Sequence, residues 1–333
     1  MDQPTYSSCS SASSPATPAP AALPELTIAR FNLQFAASRP YRIEGYRGSA
    51  WRGVLGHALR RLACMTREKS CPGCVLYRSC IYSYIFETPP PPGSAKLSRY
   101  TAAPHPFVLV VPAEAPVGLA YGEQLGLNLF GRGANYLAYL VRALQQAAEE
   151  GLRPENVPLR LAAVEQEDVP GSGHWTPIFD GQGSLAPEQP AQATWPEPWA
   201  RTRVNIRTPL RLRRNNDLIT PESFTFADLF SNLLRRISLI TYFHTETPLE
   251  TDFAALVASS REVSVDERRL QWRDWTRYSG RQQTHMQMGG FVGSFTVATG
   301  ERPELWPYLW LGQWVHAGKG TSMGLGRYDL EQA

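Results

Sequence analysis

Lysine is scarce in this 333-residue chain, and long apolar runs are absent from it. Only three of the 33 basic residues are lysines, at positions 69, 96 and 319. A GC-rich genome that favours arginine codons explains this bias more simply than selection for guanidinium chemistry does. No apolar run approaches the roughly 18 residues that span a bilayer, and the amino terminus lacks the cationic start and apolar core of a secretory signal. We therefore expect a cytoplasmic protein with no membrane partner.

The composition is that of a globular protein except at the amino terminus. With 43% hydrophobic residues, the chain is long enough for two domains that each bury a core. Ser, Ala, Thr and Pro dominate the first two dozen residues, which predicts a disordered tail over 1–24. The net charge of +3 says little about binding to polyanions, so the distribution of the charges matters more than their sum.

Hydrophobic periodicity predicts the same order of elements twice. The first domain, 25–169, has the pattern β-α-β-β-α-β, the split ferredoxin-like arrangement, and carries a cysteine-rich insertion at 64–87. Its strands are expected at 26–35, 107–111, 124–130 and 159–164, and its helices at 49–64 and 135–150.

Residues 170–200 are rich in Pro, Gly and Gln and have no sustained period, which predicts a linker or long loop. The second domain, 201–333, repeats the pattern, and Thr225 with Asp228 predicts a capping box for its first helix. Its strands are expected at 203–213, 270–278, 291–298 and 327–330, and its helices at 226–243 and 305–314. The predicted fold class is α+β, with two tandem ferredoxin-like (RRM-like) domains and the cysteine-rich insertion in the first.

One predicted strand is strongly basic. Residues 201–214 include six arginines and no acidic residue. Alternation along a strand places the apolar side chains on one face and four arginines on the other, namely Arg203, Arg207, Arg211 and Arg213. A merely solvated strand face is the alternative, but the absence of acids favours a platform for a phosphate backbone.

A glycine-rich loop at 318–326 precedes the last predicted strand. Glycines allow consecutive backbone N–H groups to turn toward an anion, and Lys319 and Arg327 would add positive charge. The loop follows a helix and enters a strand, whereas a Walker loop follows a strand and opens a helix. Nucleotide hydrolysis is therefore disfavoured, and an ordinary turn remains the competing interpretation.

Four cysteines lie within seventeen residues, at Cys64, Cys71, Cys74 and Cys80. The central Cys-Pro-Gly-Cys can bring two thiolates to one metal ion, and the other two can complete a tetrahedral site. In a cytoplasmic protein this spacing favours metal over disulfides. Structural zinc is the first interpretation, with an iron–sulfur cluster or unliganded thiols as alternatives. A closed four-thiolate site leaves no position for substrate, so the metal is not assigned to catalysis.

Two histidines are candidates for acid/base chemistry. On the first predicted helix, His57 lies opposite the apolar stripe with Arg60 as a neighbour, so it is not a core histidine. An ordinary surface histidine is the alternative. His316 lies beside the glycine-rich loop and is the second candidate for acid/base chemistry, since histidine suits proton transfer near neutral pH.

Several stretches resemble one family. They are YRGSAWRGVLGHALRR at 46–61, CIYSYIFE at 80–87, YSGRQ at 278–282, GGFVG at 289–293 and the glycine-rich loop. Together they resemble the CRISPR-associated precursor-crRNA processing endoribonucleases of the RAMP superfamily, in which a glycine-rich loop before the last strand is a signature. The cysteine cluster departs from the better-known members and suggests a distinct branch.

The resemblance implies a fold, a reaction and partners. The fold is two tandem ferredoxin-like domains, and the reaction is metal-independent cleavage of repeat RNA by the ribose 2′-OH, which leaves a 2′,3′-cyclic phosphate and a 5′-OH. Members often place the catalytic histidine on or just after the first helix, which favours His57 over His316. Arg60, Arg281 and Lys319 are the candidates for stabilising charge. The implied partners are CRISPR repeat RNA or crRNA and other subunits of a CRISPR effector complex.

Two other functions fit the same features. One is a non-catalytic RAMP subunit that holds guide RNA in an effector complex through the same loop and basic strand. The other is a zinc-stabilised nucleic-acid-binding scaffold centred on the cysteines.

Overall fold

Two antiparallel sheets organise the chain. The structure, a computed structural model, describes residues 23–43, 46–94, 103–113, 118–152, 156–274, 276–279 and 284–333. The predicted tail over 1–24 therefore lies almost wholly outside the described residues, as does Arg281. None of the helices in the described ranges is long and apolar enough to cross a membrane.

The first sheet has five strands in the order β2-β3-β1-β4-β5, and all of its neighbours are antiparallel. Its strands are β1 (Ile28–Tyr41), β2 (Phe107–Val110), β3 (Ala120–Phe130), β4 (Leu159–Glu167) and β5 (Trp175–Phe179), and its helices are α1 (Gly48–Ala63) and α2 (Leu137–Glu149). Between α1 and β2, a π-helical turn at Ser83–Glu87 buries Ile85 and Phe86 beneath the cysteine-rich segment.

The second sheet has four strands in the order β13-β6-β12-β9, again all antiparallel. Its strands are β6 (Thr202–Leu210), β9 (Asp266–Arg273), β12 (Gly290–Val297) and β13 (Tyr328–Gln332). Two small hairpins, β7 (Arg213–Arg214) with β8 (Asp217–Leu218) and β10 (Thr276–Ser279) with β11 (Thr284–Gln287), lie outside it. The helices are α3 (Phe226–His244), α4 (Phe253–Arg261) and α5 (Trp306–Val315).

The strand order confirms the predicted fold class. In each sheet the fourth strand of the β-α-β-β-α-β unit neighbours the first, the first neighbours the third, and the third neighbours the second. Two different sequences therefore fold into the same ferredoxin-like topology. The capping box of Thr225 and Asp228 at the start of α3 is present as predicted.

The segment 170–200, predicted to be a linker or long loop, contains one strand. Residues 175–179 form β5, which extends the first sheet beyond β4. This strand contains Pro177, which lacks a backbone N–H and is tolerated because β5 is an edge strand. The segment then returns to the body of the protein, where Trp306 donates its indole N–H to the Pro196 carbonyl at 2.6 Å.

Alternation along β6 confirms the predicted buried face. Val204, Ile206 and Leu210 are at most 4% exposed and Thr208 is buried with them, whereas residues 203, 205, 207 and 209 are half-buried or exposed. The strand ends at Leu210 and not at Arg213, so two of the four predicted strand arginines lie beyond it.

The two halves share a core. Leu26, Ile28, Val108 and Phe130 belong to the first half by sequence, yet they pack among the buried side chains of α3, α5 and the second sheet. All four are at most 1% exposed. At roughly 1.5 to 3 kcal/mol for each fully buried large apolar side chain, this contact fixes the halves against each other.

A buried carboxylate anchors the start of α1. Glu123 on β3 accepts hydrogen bonds from the Tyr41 hydroxyl at 2.6 Å and the Trp51 indole at 2.8 Å. The Arg47 guanidinium pairs with it at 2.6 Å. A buried charge that is both paired and hydrogen-bonded avoids the large cost of desolvation. The network therefore fixes the first turn of α1, which contacts the glycine-rich loop.

Candidate nucleic-acid interface

An open cleft of about 700 Å³ lies between the two halves. The first half contributes residues 103–105, just before β2, and the second contributes α3, the segment after β6 and the glycine-rich loop. Five cationic side chains line it: Arg211, Arg213, Arg235, Arg236 and Lys319. No acidic side chain is among the residues described as lining it. Such a surface attracts a phosphate backbone.

The glycine-rich loop lies against the first half of the chain. Gly318, Gly320, Gly324 and Gly326 all have left-handed φ values between 69° and 91°, which glycine adopts without strain. A Cβ on Gly324 would overlap the Tyr46 hydroxyl and the Leu109 carbonyl. The Tyr46 hydroxyl also donates a hydrogen bond to the Met323 carbonyl at 2.7 Å. The glycines thus permit a close approach between the halves.

The amides at the two ends of the loop are engaged within the protein. The amide of Gly318 donates to Asn232 Oδ1 at 2.7 Å, and that of Lys319 donates to the Arg211 carbonyl at 3.2 Å. The amides of residues 323–327 also donate to protein acceptors. These bonds hold the loop in shape. The prediction that consecutive backbone N–H groups cradle an anion is thereby narrowed to residues 320–322, which line the cleft beside the exposed side chain of Lys319, and it stays a prediction.

A chain of hydrogen bonds runs beneath the cleft. Arg52 on α1 donates from Nε to the Ser322 hydroxyl at 2.8 Å and from a terminal nitrogen to His105 Nε2 at 3.2 Å. His105 Nε2 must therefore accept, which leaves Nδ1–H to donate to the Thr88 hydroxyl at 2.8 Å. This chain joins α1, the segment before β2 and the glycine-rich loop. We call it the floor chain.

The sequence interpretation missed the floor chain. Its signals were weak, since Arg52 is one of thirty arginines and His105 stands between two prolines. Burial lowers the pKa of His105 to about 3, and the positive charges of Arg52 and Arg236 lower it further. The imidazole is therefore neutral near pH 7, as its hydrogen bonds require.

His316 is not placed for proton transfer with a bound substrate, which corrects the prediction from sequence. It is 0% exposed, and its Nδ1 lies 3.3 Å from the Leu325 carbonyl. Burial lowers its pKa to about 3, with the charges of Arg327 and Arg236 acting in the same direction. Its backbone has a φ of 58°, at the point where α5 ends and the loop begins. His316 is a buried structural residue of that turn.

His57 lies in a second concave region, which we call the α1 hollow. It is an open hollow of about 900 Å³, and His57 is exposed there, as the helical pattern predicted. Four basic side chains share the hollow with it: Arg60, Arg61, Arg67 and Lys69. Two acidic side chains, Glu68 and Glu150, line it as well, and Arg61 pairs with Glu150 at 2.5 Å. Arg60 also donates to the carbonyls of Glu68 and Lys69 and lies over the Tyr82 ring.

The arginines of the basic strand are less available to bind phosphate than its sequence suggested. Acids from β9 and β13 pair with arginines on its outer face: Arg203 pairs with Glu267 at 3.0 Å, and Arg207 pairs with Asp329 at 2.6 Å. The absence of acids within 201–214 concealed these partners, because strand pairing brings them from elsewhere in the chain. Only Arg211 and Arg213 reach the cleft, from positions beyond the end of β6.

Arg327 faces away from the cleft. It lines a separate hollow of about 320 Å³ beside Arg30 and Trp175, and its guanidinium lies 3.5 Å from Asp329. Its predicted contact with the ligand of the glycine-rich loop is therefore not supported by its position.

All four clustered cysteines line one small cavity of about 20 Å³. The Cys74 amide donates to the Cys71 carbonyl at 3.0 Å, and the Leu76 amide donates to Cys74 Sγ at 3.4 Å. Burial raises the pKa of the Cys71 thiol, and the nearby Cys80 and Cys64 raise it further. The positive charge of Arg60 acts in the opposite direction. The volume suits a single ion. Within the described residues, however, no three His, Cys, Asp or Glu side chains are arranged closely enough to hold one.

Family models match both halves. The model described as CRISPR-associated endoribonuclease Cas6 matches residues 204–328. The AF_1859_N model, described as an N-terminal domain, matches residues 26–190. No curated protein matches the sequence.

Solved structures share the fold at low identity. The Cas6 (TTHB231) product complex has a TM-score of 0.55 at 18% identity, covering 92% of this chain and 99% of that one. Thermus thermophilus Cas6 (TTHB231) has a TM-score of 0.51 at 15% identity, with 92% and 99% covered. A partial Cas6-RT-Cas1–Cas2 complex gives 0.52 at 15% identity, covering 93% of this chain and 46% of that one. These identities establish the fold alone.

Two ferredoxin-like units in tandem, with a glycine-rich loop before the last strand, are the fold that this chain shares with the solved Cas6 structures. For the second half of the chain the family model is more specific. Residues 204–328 match the CRISPR-associated endoribonuclease Cas6 family.

Proposed function

We propose that this chain processes CRISPR precursor RNA by binding the repeat and cutting it through metal-independent transesterification. The observation that carries the proposal is the acid-free basic cleft, which both halves build in a chain whose residues 204–328 match the Cas6 family. The cleft, the cysteine-rich insertion and the α1 hollow follow one another over the surface. Arg60 and Cys64 line both the hollow and the thiol cavity, and the insertion continues to residues that adjoin the cleft.

The proposed reaction uses groups of the RNA itself. The ribose 2′-oxygen attacks the adjacent phosphorus, a P–O2′ bond forms, and the P–O5′ bond breaks. A base takes the proton of the 2′-hydroxyl, and an acid gives one to the departing 5′-oxygen, so the products are a 2′,3′-cyclic phosphate and a 5′-OH. Positive charge near the phosphorane stabilises the transition state.

The proposed roles follow from accessibility. His57 is exposed in a basic hollow and is our candidate for proton transfer, with Arg60 beside it as the source of charge. Lys319 and Arg235 are exposed in the cleft and hold the RNA backbone. Arg281 keeps its predicted RNA-binding role as a proposal, without a position in the described structure.

Incubation of the purified protein with its cognate repeat RNA in EDTA tests the proposal. We expect cleavage with a cyclic-phosphate end. A repeat with a 2′-deoxy sugar at the cut site should bind with unchanged affinity and resist cleavage, because the nucleophile is gone. Cleavage of the deoxy substrate would exclude the mechanism, and a requirement for a divalent cation would exclude its metal independence.

The non-catalytic RAMP subunit is the second candidate function. The same cleft would hold guide RNA without cutting it, and the similar structures include a Cas6-RT-Cas1–Cas2 assembly. Tight binding of the repeat without cleavage, under conditions in which the RNA stays intact, favours this function. Other CRISPR effector subunits would then be its partners.

For the thiol cavity we propose a structural metal ion held by Cys64, Cys71, Cys74 and Cys80. The support is that these four donors line one ion-sized cavity in the described insertion, together with Glu68. Thiolates are the donors that zinc and iron–sulfur clusters take in closed sites. Elemental analysis and a visible spectrum decide between zinc and an iron–sulfur cluster, because zinc is colourless and iron–sulfur clusters absorb visible light. Four titratable thiols without metal would exclude both ions.

A zinc-stabilised nucleic-acid scaffold is the third candidate. It predicts that duplex DNA competes with repeat RNA for the protein, whereas the RNA-processing function predicts weak competition.

A further inference from the structure

A pocket of about 390 Å³ opens beside the cleft, and none of the predicted site residues lines it. Both halves build it: Tyr84, Arg132 and Tyr136 come from the first, and Phe243 and His244 come from the second. Ala103 lines both this pocket and the cleft, so the two cavities are adjacent. We call it the aromatic pocket.

Aromatic rings form one side of the pocket. The rings of Tyr84 and Tyr136 lie 5.3 Å apart between centroids, with a tilt of 48°. Both tyrosines are half-buried, whereas Phe243 is buried. Proteins that bind single-stranded RNA use such rings to stack unpaired bases.

A buried histidine fixes the position of Tyr84. His244 Nε2 lies 2.7 Å from the Pro104 carbonyl, which can only accept, so Nε2 carries the proton. Nδ1 is then the acceptor for the Tyr84 hydroxyl at 3.0 Å. Burial lowers the pKa of His244 to about 4, which keeps this neutral tautomer near pH 7. The ring of Tyr84 is thus held rigidly across the boundary between the halves.

Two arginines stand at the mouth of the pocket. Both side chains are exposed. Arg132 donates to the Phe243 carbonyl at 2.9 Å, and Arg78 donates to the Pro90 carbonyl at 2.7 Å. Phosphates on either side of an inserted base would meet these guanidinium groups. The pocket therefore combines a stacking surface with charge at its rim.

We propose that the aromatic pocket binds one unpaired base of the RNA strand, stacked on Tyr136, with Arg78 and Arg132 contacting the flanking phosphates. The inference rests on the proposed function, because the strand must lie in the adjoining cleft. It adds a recognition site for a single nucleotide beside the cleavage machinery.

The experiment combines protein variants with abasic RNA. A set of repeat RNAs, each with one abasic nucleotide, is titrated against the full-length protein by fluorescence anisotropy. Tyr136→Leu keeps the apolar volume but removes the stacking face. We expect this variant and one abasic position each to weaken binding on the order of tenfold, as loss of one stacked base does. Together they should weaken it no further, because both remove the same contact.

Matched controls lie on the next helix. Tyr139 is exposed on α2 outside the pocket, and Tyr139→Leu should leave affinity unchanged. Arg132→Gln should reduce the slope of log affinity against log salt by about one, whereas Arg142→Gln should not. Tyr136→Trp should retain wild-type affinity, which separates stacking from a structural role.

The failure of this inference is distinguishable from that of the proposed function. If the wild-type protein cuts the repeat but Tyr136→Leu binds every RNA as the wild type does, the pocket assignment is wrong and the nuclease stands. Independent, additive losses from Tyr136→Leu and every abasic site would also overturn it. If the wild type neither binds nor cuts the repeat, the proposed function itself fails.

Discussion

The interdomain cleft and the α1 hollow are both concave and basic, but they are built differently. The cleft is lined by both halves and underlain by the floor chain, in which Arg52, His105 and Thr88 are mutually oriented. The hollow is lined by α1 and the cysteine-rich insertion, with His57 exposed to solvent. Their histidines differ accordingly, since that of the cleft is neutral and engaged while that of the hollow is accessible.

We propose that this difference separates the binding of RNA from its cleavage. Oriented, hydrogen-bonded groups keep a surface in one shape, which suits recognition of a backbone. An accessible imidazole can exchange protons with a substrate, which suits catalysis. We therefore assign backbone binding to the cleft and proton transfer to the hollow, and the following variants test that division in order of decreasing expected effect.

His57→Ala should have the largest effect. We expect cleavage to fall by at least about a hundredfold with RNA affinity retained, because the general acid/base is removed. Single-turnover cleavage and anisotropy measure the two quantities. His174→Ala, at an exposed loop histidine, is the control and should cut normally. A loss of less than threefold would move the chemistry out of the hollow, and the division between the two regions would not hold.

Acid should destabilise the cleft side through its buried histidines. The folded-state pKa values of His105, His244 and His316 are lowered to about 3, 4 and 3. The unfolded chain therefore takes up protons first, and stability falls as pH drops below about 6.5 toward those values. Each buried histidine should cost about 2 kcal/mol between pH 6.5 and pH 5.

Denaturant titrations at pH 7 and pH 5 measure this loss. His244→Gln should reduce the difference between the two pH values, because one buried imidazole no longer titrates. His57→Ala is the control variant, because it removes an exposed imidazole and leaves the three cleft-side histidines in place. An equal reduction in both variants would contradict the contrast between the two regions.

Arg52→Ala should weaken RNA binding by about tenfold, although Arg52 acts through its protein partners and not through the RNA. The substitution removes the hydrogen bonds from Arg52 to His105 and to Ser322. The loss of such a partner costs about 1–3 kcal/mol. The glycine-rich loop would lose one of its attachments to α1. Anisotropy with the repeat RNA measures the effect, and the exposed Arg142→Ala is the control. Arg52→Lys should recover only part of the affinity, because lysine cannot reach both partners with a fork.

Lys319→Ala should have the smallest effect. We expect affinity to fall a few-fold and the salt slope to decrease by about one, because one exposed phosphate contact is lost. Cleavage at saturating protein should be unchanged. The control is Lys69→Ala in the hollow, and an equal loss of affinity there would show that the hollow binds the backbone as strongly as the cleft does.

The topology was predictable because it depends on local patterns. Alternation in β6 and the capping box at Thr225 are each contained within a few residues of sequence. The edge strand β5 was missed because Pro177 and the surrounding glycines resemble a linker. Its pairing with β4 depends on a neighbour that local sequence does not specify.

The site was only partly predictable, for the same reason. The exposure of His57 followed from one helical wheel, and the role of Lys319 followed from one loop. The acids that pair with Arg203 and Arg207, and the arginine that donates to His105, all lie more than fifty positions away from their partners. The hydrophobic pattern of a single helix or strand cannot predict such distant partners.

The shared core has a consequence for the modularity of the chain. Leu26, Ile28, Val108 and Phe130 complete a core that consists mostly of the second half. A fragment ending near residue 190 would expose them as a contiguous apolar patch, and such patches promote aggregation. The two ferredoxin-like units have the same topology, but neither can replace the other, because they share one core. Transplanting or expressing either unit alone requires redesign of this surface first.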